Sequence, residues 1–193
     1  MYCFSGSGVS FTGPIPSEIG MLHESLRTYN ILHGSQMTGS IPSQFFQLTK
    51  LQLLNSFGKG LEGTLPSAIG NLKDLAMLDV GFNKLTGTIP SQLYGLTKLR
   101  FLNFHGNAFT GALSSGIGRL SDMEILILLE NNLSGAVPSE LALMTDLLMF
   151  VVIENPLLTG NVSSAVCDAP QILLMMDCTD TLCGCNNCTC SED

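Results

Sequence analysis

A leucine or methionine returns every 24 residues through most of this chain of 193 residues, at Leu48, Leu72, Leu96, Leu120 and Met144. Similar letters follow each one, for example LKDLAMLDVGFNKLTGTIPSQLYG and then LTKLRFLNFHGNAFTGALSSGIGR. A unit of this length is too small to bury a core alone, so it must stack on its neighbours and share one continuous interior with them. The period therefore predicts a solenoid.

A second motif, L-x-G-x-I-P, completes the unit. It occurs, with a weaker copy at 109–114, in residues 11–16, 37–42, 61–66, 85–90 and 133–138. Together with L-x-x-L-x-L-x-x-N-x-L, it makes the chain resemble the plant-type, extracellular branch of the leucine-rich repeat family. The resemblance implies an α/β fold: a right-handed solenoid of 24-residue repeats, with a curved parallel β-sheet on the concave face and 3₁₀ or extended segments on the convex face.

The repeat also divides the chain. Residues 1–160 are expected to form the array, which begins with an incomplete repeat and has no N-terminal cap. Residues 161–193 are expected to form a cysteine-rich C-terminal cap, which is similar to the ends of secreted leucine-rich repeat proteins of diatoms and other microalgae. Because the array begins in mid-repeat and no signal peptide precedes it, we interpret the chain as a fragment. Its uncapped N-terminal edge is a candidate contact surface.

The predicted strands carry an unusual outward face. Alternate strand residues face opposite sides, so the leucines point inward and the residues between them face the concave side. These outward columns are mostly apolar, apart from a short Asn/Asp row and His105. The candidate ligand-binding residues are Leu53, Asn55, Phe57, Met77, Asp79, Phe101, Asn103, His105, Ile125, Ile127, Met149 and Val151. A contiguous apolar patch usually marks an interaction site, which predicts a protein or peptide ligand. The alternative is that these side chains pack on one another across adjacent strands.

The charge distribution is asymmetric. The formal net charge is −8, all eight basic residues lie between Arg27 and Arg119, and eleven acidic residues follow Leu120. This argues against nucleic acid, which needs clustered Lys and Arg; a plain solvated surface is the simpler interpretation of the acidic half. No apolar run is long enough to span a membrane.

Six of the seven cysteines lie near the C-terminus: Cys167, Cys178, Cys183, Cys185, Cys188 and Cys190. An even cluster at the end of an extracellular-type array predicts disulfides. A zinc or soft-metal site in residues 183–190 is the alternative, but no histidine lies nearby, and we predict neither metal nor cofactor. The sequons at Asn132, Asn161 and Asn187 are predicted glycosylation sites.

The chain shows no catalytic constellation. Its histidines, His23, His33 and His105, are scattered, and its glycines follow the repeat rather than a phosphate-binding loop. The sequence therefore predicts a non-enzymatic recognition module, extracellular or at the cell surface, that binds a protein or peptide on its concave face. By resemblance, related domains are receptor ectodomains or secreted inhibitors of cell-wall enzymes. The alternative is a structural or ice-binding surface on a hydroxyl column formed by Thr12, Thr38, Thr86, Thr110, Ser134 and Thr159.

Overall fold

The computed structural model describes residues 2–5, 12–31, 36–159, 162–167, 169, 172–177 and 188–190. Within these ranges the chain winds into stacked coils. A typical coil contains a short strand, a turn, a second strand and a 3₁₀ helix. Each coil packs on the next along one direction, which is the architecture that the 24-residue period predicts.

The first strand of each coil joins one main sheet, which has nine parallel strands in the part of the chain that is described. Numbered along the chain, these strands are β1 (Tyr2–Ser5), β3 (Leu26–Asn30), β5 (Leu53–Asn55), β7 (Met77–Asp79), β9 (Phe101–Asn103), β11 (Ile125–Ile127), β13 (Met149–Val151), β15 (Leu173–Met176) and β16 (Cys188–Cys190). Met77 lies opposite Phe101, and Phe101 opposite Ile125. The predicted parallel sheet and its 24-residue register are confirmed.

The second strands form smaller parallel sheets on another side of the coils. The larger one contains β6 (Glu62–Thr64), β8 (Lys84–Thr88), β10 (Ala108–Ala112), β12 (Asn132–Gly135) and β14 (Leu157–Leu158), and the smaller one contains β2 (Thr12–Gly13) and β4 (Gln36–Met37). They are built from the L-x-G-x-I-P segments. The motif therefore encodes extended backbone as well as a turn.

The register of this second sheet differs from that of the main sheet. Thr86 lies opposite Ala108, and Thr110 lies opposite Thr88. Each residue therefore pairs with the residue two positions before its equivalent in the next coil. This register shift displaces equivalent residues by about 7 Å along the strand direction. The Thr86 hydroxyl also donates to the Gly63 carbonyl oxygen at 3.2 Å. Thr86 and Thr110 thus do not form the level hydroxyl ladder that the ice-binding alternative requires.

Short 3₁₀ helices close the coils. They span Ser17–Leu22, Ser43–Gln47, Ser67–Asn71, Ser91–Gly95, Ser115–Arg119 and Ser139–Leu143, and one α-helix, α1, spans Ser164–Cys167. Proline precedes five of the six 3₁₀ helices, as the repeat predicts, in extended backbone such as φ −69° at Pro90. Its ring fixes φ near that value, and it has no N–H to leave unpaired at the helix start. Ser114 takes the place of proline in one coil and accepts a hydrogen bond from the Gly116 N–H.

One hydrophobic core runs from Ile15 to Met176 without a break among the described residues. Leu72, Leu75 and Leu78 are fully buried in it. Burying such a side chain stabilises the fold by about 1.5–3 kcal/mol. The same three positions recur in each central coil, so the core grows by one layer per repeat.

An asparagine ladder runs beside the core. Asn131 Oδ1 accepts from the Phe109 N–H of the preceding coil at 3.0 Å. Its Nδ2 donates to the carbonyl oxygens of Phe104 and Leu128. Asn83, Asn107 and Asn155 repeat this arrangement. The side-chain amide is needed because it is both donor and acceptor, as the sequence predicts.

The main sheet extends further at both ends than the repeat alone indicates. At the N-terminal end, β1 pairs with β3, although the sequence upstream of Leu22 shows only the second half of a repeat. At the other end, β15 pairs with β13 and β16 with β15, so the sheet runs past residue 160. The boundary between array and cap at residues 160 and 161 stays a prediction. No helix in the described ranges has the length and hydropathy needed to cross a membrane.

Candidate ligand-binding face

The apolar column predicted for the concave face lies on neighbouring strands of the main sheet. It contains Leu53, Met77, Phe101, Ile125 and Met149, and the structure adds Thr28 before it and Leu173 after it. The five predicted side chains are half-buried, and Leu173 is 41% exposed. Each side chain therefore packs partly on its neighbours and leaves its remaining surface to solvent. The packed part agrees with self-packing across adjacent strands, and the exposed part agrees with ligand binding.

The second outward column begins with polar residues that shape turns. Asn55, Asp79 and Asn103 each accept, through Oδ1, the N–H of the residue two positions later, at 3.0–3.1 Å. Asp79 is only 8% exposed, and Asn103 is buried too. The sequence predicted solvent-facing polar groups here, and that is corrected for Asp79 and Asn103. Their oxygens satisfy backbone donors where each strand ends, because an Asx side chain mimics a turn.

Burial also affects the Asp79 carboxyl group. Desolvation raises its pKa above the usual value, and the hydrogen bonds from the Gly81 N–H and the Asn103 side chain offset only part of this rise. In the rest of this column, Ile127 and Val151 follow in register, and Met175 extends the row by one strand. The column therefore changes from polar to wholly apolar along the sheet.

A row of rings follows the C-terminal ends of the strands. The Phe57 and Phe82 ring centroids lie 5.1 Å apart, and those of Phe82 and His105 lie 4.1 Å apart. His105 Nε2 lies 2.9 Å from Glu130 Oε1. The sequence predicted Phe57 and His105 as site residues, and the structure joins them through Phe82, which is 47% exposed.

Phe82 occupies a turn position with left-handed backbone, at φ 51°. Equivalent positions hold Gly58 and Gly106, for which this conformation is natural, and Glu130 at φ 53°. A phenylalanine there costs about 1–2 kcal/mol, and such outliers favour functional sites. Phe82 was not among the predicted site residues, although the glycines 24 residues to either side, Gly58 and Gly106, mark its position as a left-handed turn.

Charges line the N-terminal ends of the strands. Lys98 Nζ lies 2.7 Å from Asp74 Oδ1, and this hydrogen bond, together with the lysine charge, lowers the pKa of Asp74. Arg100 pairs with Glu124 in the next coil. Asp122 and Asp146, one and two coils along from Lys98, have no ion-pair partner among the described residues. The alternation of charge thus ends where the basic residues end.

The remaining predicted sites are described only in part. Cys167 is half-buried and disulfide-bonded in the structure. Cys178, Cys183 and Cys185 lie outside the described residues, and for Cys188 and Cys190 only the backbone of β16 is described. Asn132 is exposed on β12, whereas Asn161 and Asn187 fall outside the described ranges. The disulfide cap and the glycosylation sites stay predictions. Among the described residues, no group of His, Cys, Asp and Glu could hold a metal ion.

The comparisons with known proteins agree with this geometry. Residues 98–120 match the family model described as Leucine Rich Repeat. The comparison with curated proteins gives no sequence match. The chain belongs to the leucine-rich repeat family, and its fold is the solenoid of that family.

Solved structures of plant receptors match most of this chain. The ectodomain of the membrane receptor kinase GASSHO1/SCHENGEN3 from Arabidopsis thaliana, in complex with CASPARIAN STRIP INTEGRITY FACTOR 2, is 29% identical, with a TM-score of 0.83 over 95% of this chain. The plant peptide hormone receptor RGFR1 in complex with RGF2 is 26% identical, with a TM-score of 0.81 over 88% of this chain. The chain spans only 24% and 27% of the lengths of these two proteins.

A shorter structure matches more of its own length. The BIR3–SERK2 complex from Arabidopsis thaliana is 30% identical, and the match covers 81% of this chain and 70% of that chain, with a TM-score of 0.56. The likeness therefore extends to solved structures of more than one length.

Proposed function

We propose that this protein is a non-enzymatic extracellular recognition module that binds a peptide or protein across its concave face. The observation that carries the proposal is the apolar column of the main sheet, with Phe101 at its centre between Met77 and Ile125. Solvent-facing apolar side chains in a continuous row are unusual on a protein that functions alone. The stacked coils hold them at fixed spacing, so a ligand meets a surface already in its binding shape, which reduces the entropy lost on binding.

The solved neighbours support a peptide or protein ligand. Two of them are complexes with RGF2 and CASPARIAN STRIP INTEGRITY FACTOR 2, and a third is the receptor kinase HAESA with the peptide hormone IDA and the co-receptor SERK1. By this likeness we place the chain outside the cell or at its surface. The L-x-G-x-I-P motif favours the plant-type branch, and the cysteine-rich tail favours a secreted microalgal protein.

Phe101 is the residue we expect to anchor the ligand. Interface energy concentrates in a few well-packed side chains, among which aromatic residues are prominent. Phe101 is half-buried on β9, which fixes its orientation and leaves ring surface for a partner. The ring row of Phe57, Phe82 and His105 runs along the edge of the same face and offers further contact area.

The test compares two apolar truncations. A ligand is first identified by proximity labelling, and its affinity is then measured by calorimetry. We expect Phe101→Ala to weaken binding by about 1–3 kcal/mol. The matched control is Leu143→Ala, which removes a 65% exposed apolar side chain from a 3₁₀ helix. It should leave the affinity unchanged.

Two outcomes would overturn the proposal. One is equal affinity of the wild-type protein and a folded Phe101→Ala variant. The other is a ligand footprint, mapped by hydrogen exchange, that is confined to the 3₁₀ helices. Either result would mean that the apolar column of the main sheet serves packing between neighbouring coils.

A further inference from the structure

We infer that the C-terminal half of the concave face selects an extended peptide that carries basic side chains among apolar ones. This inference rests on the proposed function and names the chemistry of its ligand. It is carried by the combination of an apolar surface with unpaired carboxylates on both of its edges.

The apolar part consists of two columns on three neighbouring strands, β11, β13 and β15. We call this surface the C-terminal band; its residues are Ile125, Ile127, Met149, Val151, Leu173 and Met175. Val151 is buried, four of the others are half-buried, and Leu173 is exposed. Neither column has a polar side chain on these strands, whereas earlier strands of the same sheet carry Asn55, Asp79 and Asn103. The polar positions that could orient a ligand must therefore lie at the edges.

Carboxylates occupy both edges of the C-terminal band. On one edge, Asp122 and Asp146 are exposed where the chain enters β11 and β13. On the other edge, Glu154 is exposed after β13, and its backbone N–H donates to Asp177 Oδ2 at 2.9 Å, which brings these two acidic residues together. No Lys, Arg or His occurs in the sequence after Arg119. Arg100 of the preceding coil pairs with Glu124 and also attracts Asp122 and Asp146 at longer range. Among the described residues, Asp146, Glu154 and Asp177 have no ion pair, so a basic ligand could supply one.

The ion pairs of the main sheet end at the first strand of the band. Asp74 pairs with Lys98 before the band, and at β11, the first strand of the band, Glu124 pairs with Arg100, while Glu130 Oε1 lies 2.9 Å from His105 Nε2. These pairs offset carboxylate charge as far as β11, and no ion pair follows on β13 or β15 among the described residues. The selectivity we infer therefore belongs to the last coils and not to the whole face.

An extended peptide fits this layout. Strands of the main sheet are spaced about 4.8 Å apart, and an extended chain advances about 3.3 Å per residue. About three to four extended residues therefore cross the three strands of the band, a peptide of about eight residues covers it fully, and its side chains alternate in direction. Apolar side chains can contact the band while lysines or arginines reach the carboxylates at its edges, and an acidic peptide would be repelled there.

Charge also argues against a second copy of this chain as the occupant. In a two-fold symmetric contact the same patch meets itself, so Asp146 and Glu154 would face the same carboxylates of the partner. The net charge of −8 adds a longer-range repulsion between copies. We therefore commit to a basic, apolar peptide.

The experiment uses the full chain and two fluorescein-labelled eight-residue peptides in which leucine alternates either with lysine or with glutamate. Fluorescence anisotropy measures both affinities. We expect the lysine peptide to bind at least about tenfold more tightly at low salt, and the difference to shrink at high salt as charges are screened. Asp146→Asn combined with Glu154→Gln should remove most of this preference.

Two controls distinguish binding at the C-terminal band from nonspecific attraction of a basic peptide to an acidic protein. Glu18→Gln combined with Glu140→Gln changes the net charge equally on the 3₁₀ helices and should keep the preference. Met149→Ser should lower the affinity for the lysine peptide severalfold, whereas Leu143→Ser should leave that affinity unchanged.

The inference is overturned if both peptides bind equally, or if the two double variants behave alike. It is also overturned if sedimentation shows a dimer that Met149→Ser dissociates. Phe101→Ala could weaken binding of the identified ligand while the protein shows no preference for the lysine peptide. In that case the proposed function stands and only the present inference fails.

Discussion

At the scale of single residues, the fold depends on where polar side chains meet unpaired backbone groups. Asn131 satisfies groups in two coils at once, and Asn103 satisfies the His105 N–H at the end of its strand. A buried backbone donor without a partner costs about 1–3 kcal/mol. Asp79 performs the same turn-forming role as Asn103, but with a carboxylate that burial destabilises.

We predict that Asp79→Asn stabilises the protein at neutral pH by about 0.5–1 kcal/mol, as substitutions toward a repeat consensus commonly do. The folded-state pKa of Asp79 lies above its ordinary value of 3.8, so the folded protein keeps this proton to higher pH than the unfolded chain. The linked stability is complete below pH 3.8 and declines as pH rises through the folded-state pKa. The amide keeps the acceptor for the Gly81 N–H and does not ionise.

Chemical denaturation at a series of pH values measures this effect. The stability of the wild-type protein relative to Asp79→Asn should fall as pH rises through the folded-state pKa of Asp79, and the variant should be the more stable one at pH 7. Asp74→Asn is the contrasting control: the pKa of Asp74 is lowered by Lys98, so its linkage has the opposite sign. A wild-type protein that remains the more stable one at pH 7 would contradict the prediction.

The sequence correctly predicted the structural features that follow from the 24-residue period alone. The columns of Phe101 and Leu78 and the ladder of Asn131 follow from counting 24 residues, because parallel coils place equivalent residues side by side. The burial of Asp79 and the left-handed backbone of Phe82 were not predictable in this way. They depend on how a neighbouring coil covers one position, and the period does not contain that information.

At the scale of elements, the 3₁₀ helices stack on one another, and glycine permits their close approach. A Cβ atom added to Gly118 would lie 2.7 Å from the Glu140 carbonyl oxygen and 3.0 Å from Glu140 Cβ in the next coil. A Cβ added to Gly95 would meet only the Lys73 ammonium group, at 3.3 Å, and that group sits at the end of a flexible side chain. Two glycines of the same kind of element thus differ in what surrounds them.

We predict that Gly118→Ala destabilises the protein by about 1–3 kcal/mol, since backbone of the next coil must move to make room. Gly95→Ala should cost far less, because a lysine side chain can swing away. Thermal unfolding of both variants, followed by circular dichroism, measures the difference. Similar melting temperatures for the two variants would mean that the stack of 3₁₀ helices is looser than these distances indicate.

The cysteine-rich end gives a second prediction at this scale. We expect no free thiol among the six C-terminal cysteines in protein made in an oxidising compartment, as alkylation and mass spectrometry will show. Cys167, the last residue of α1, is disulfide-bonded, and α1 packs on the last 3₁₀ helix of the array. Reduction should lower the free energy of unfolding by about 2–4 kcal/mol and expose β15 first in hydrogen exchange. Six titratable thiols together with bound zinc would favour the metal-site alternative.

At the scale of the whole molecule, stability is a property of the stack. Each coil contacts its neighbours, and one core connects Ile15 to Met176 through every layer. The stability of such an array is close to a sum of repeat and interface contributions. The period predicted this arrangement, but it did not predict the first strand of the main sheet or the two-residue register shift of the second sheet. The register shift depends on backbone pairing outside the leucine columns.

The last prediction follows from this continuity. Leu78 is fully buried in a central coil, and its neighbours across the sheet, Leu54 and Leu102, are buried as well. Leu78→Asp would place an unpaired charge in the core, which costs more than about 4 kcal/mol. A break in a central layer separates the two halves of the array, so the variant should lose its cooperative melting transition and much of its far-UV circular dichroism signal. Leu148→Asp, at a 54% exposed position beside the same sheet, is the control and should melt close to the wild-type temperature. A Leu78→Asp variant that kept a native spectrum and melting temperature would show that the leucine columns do not form the core.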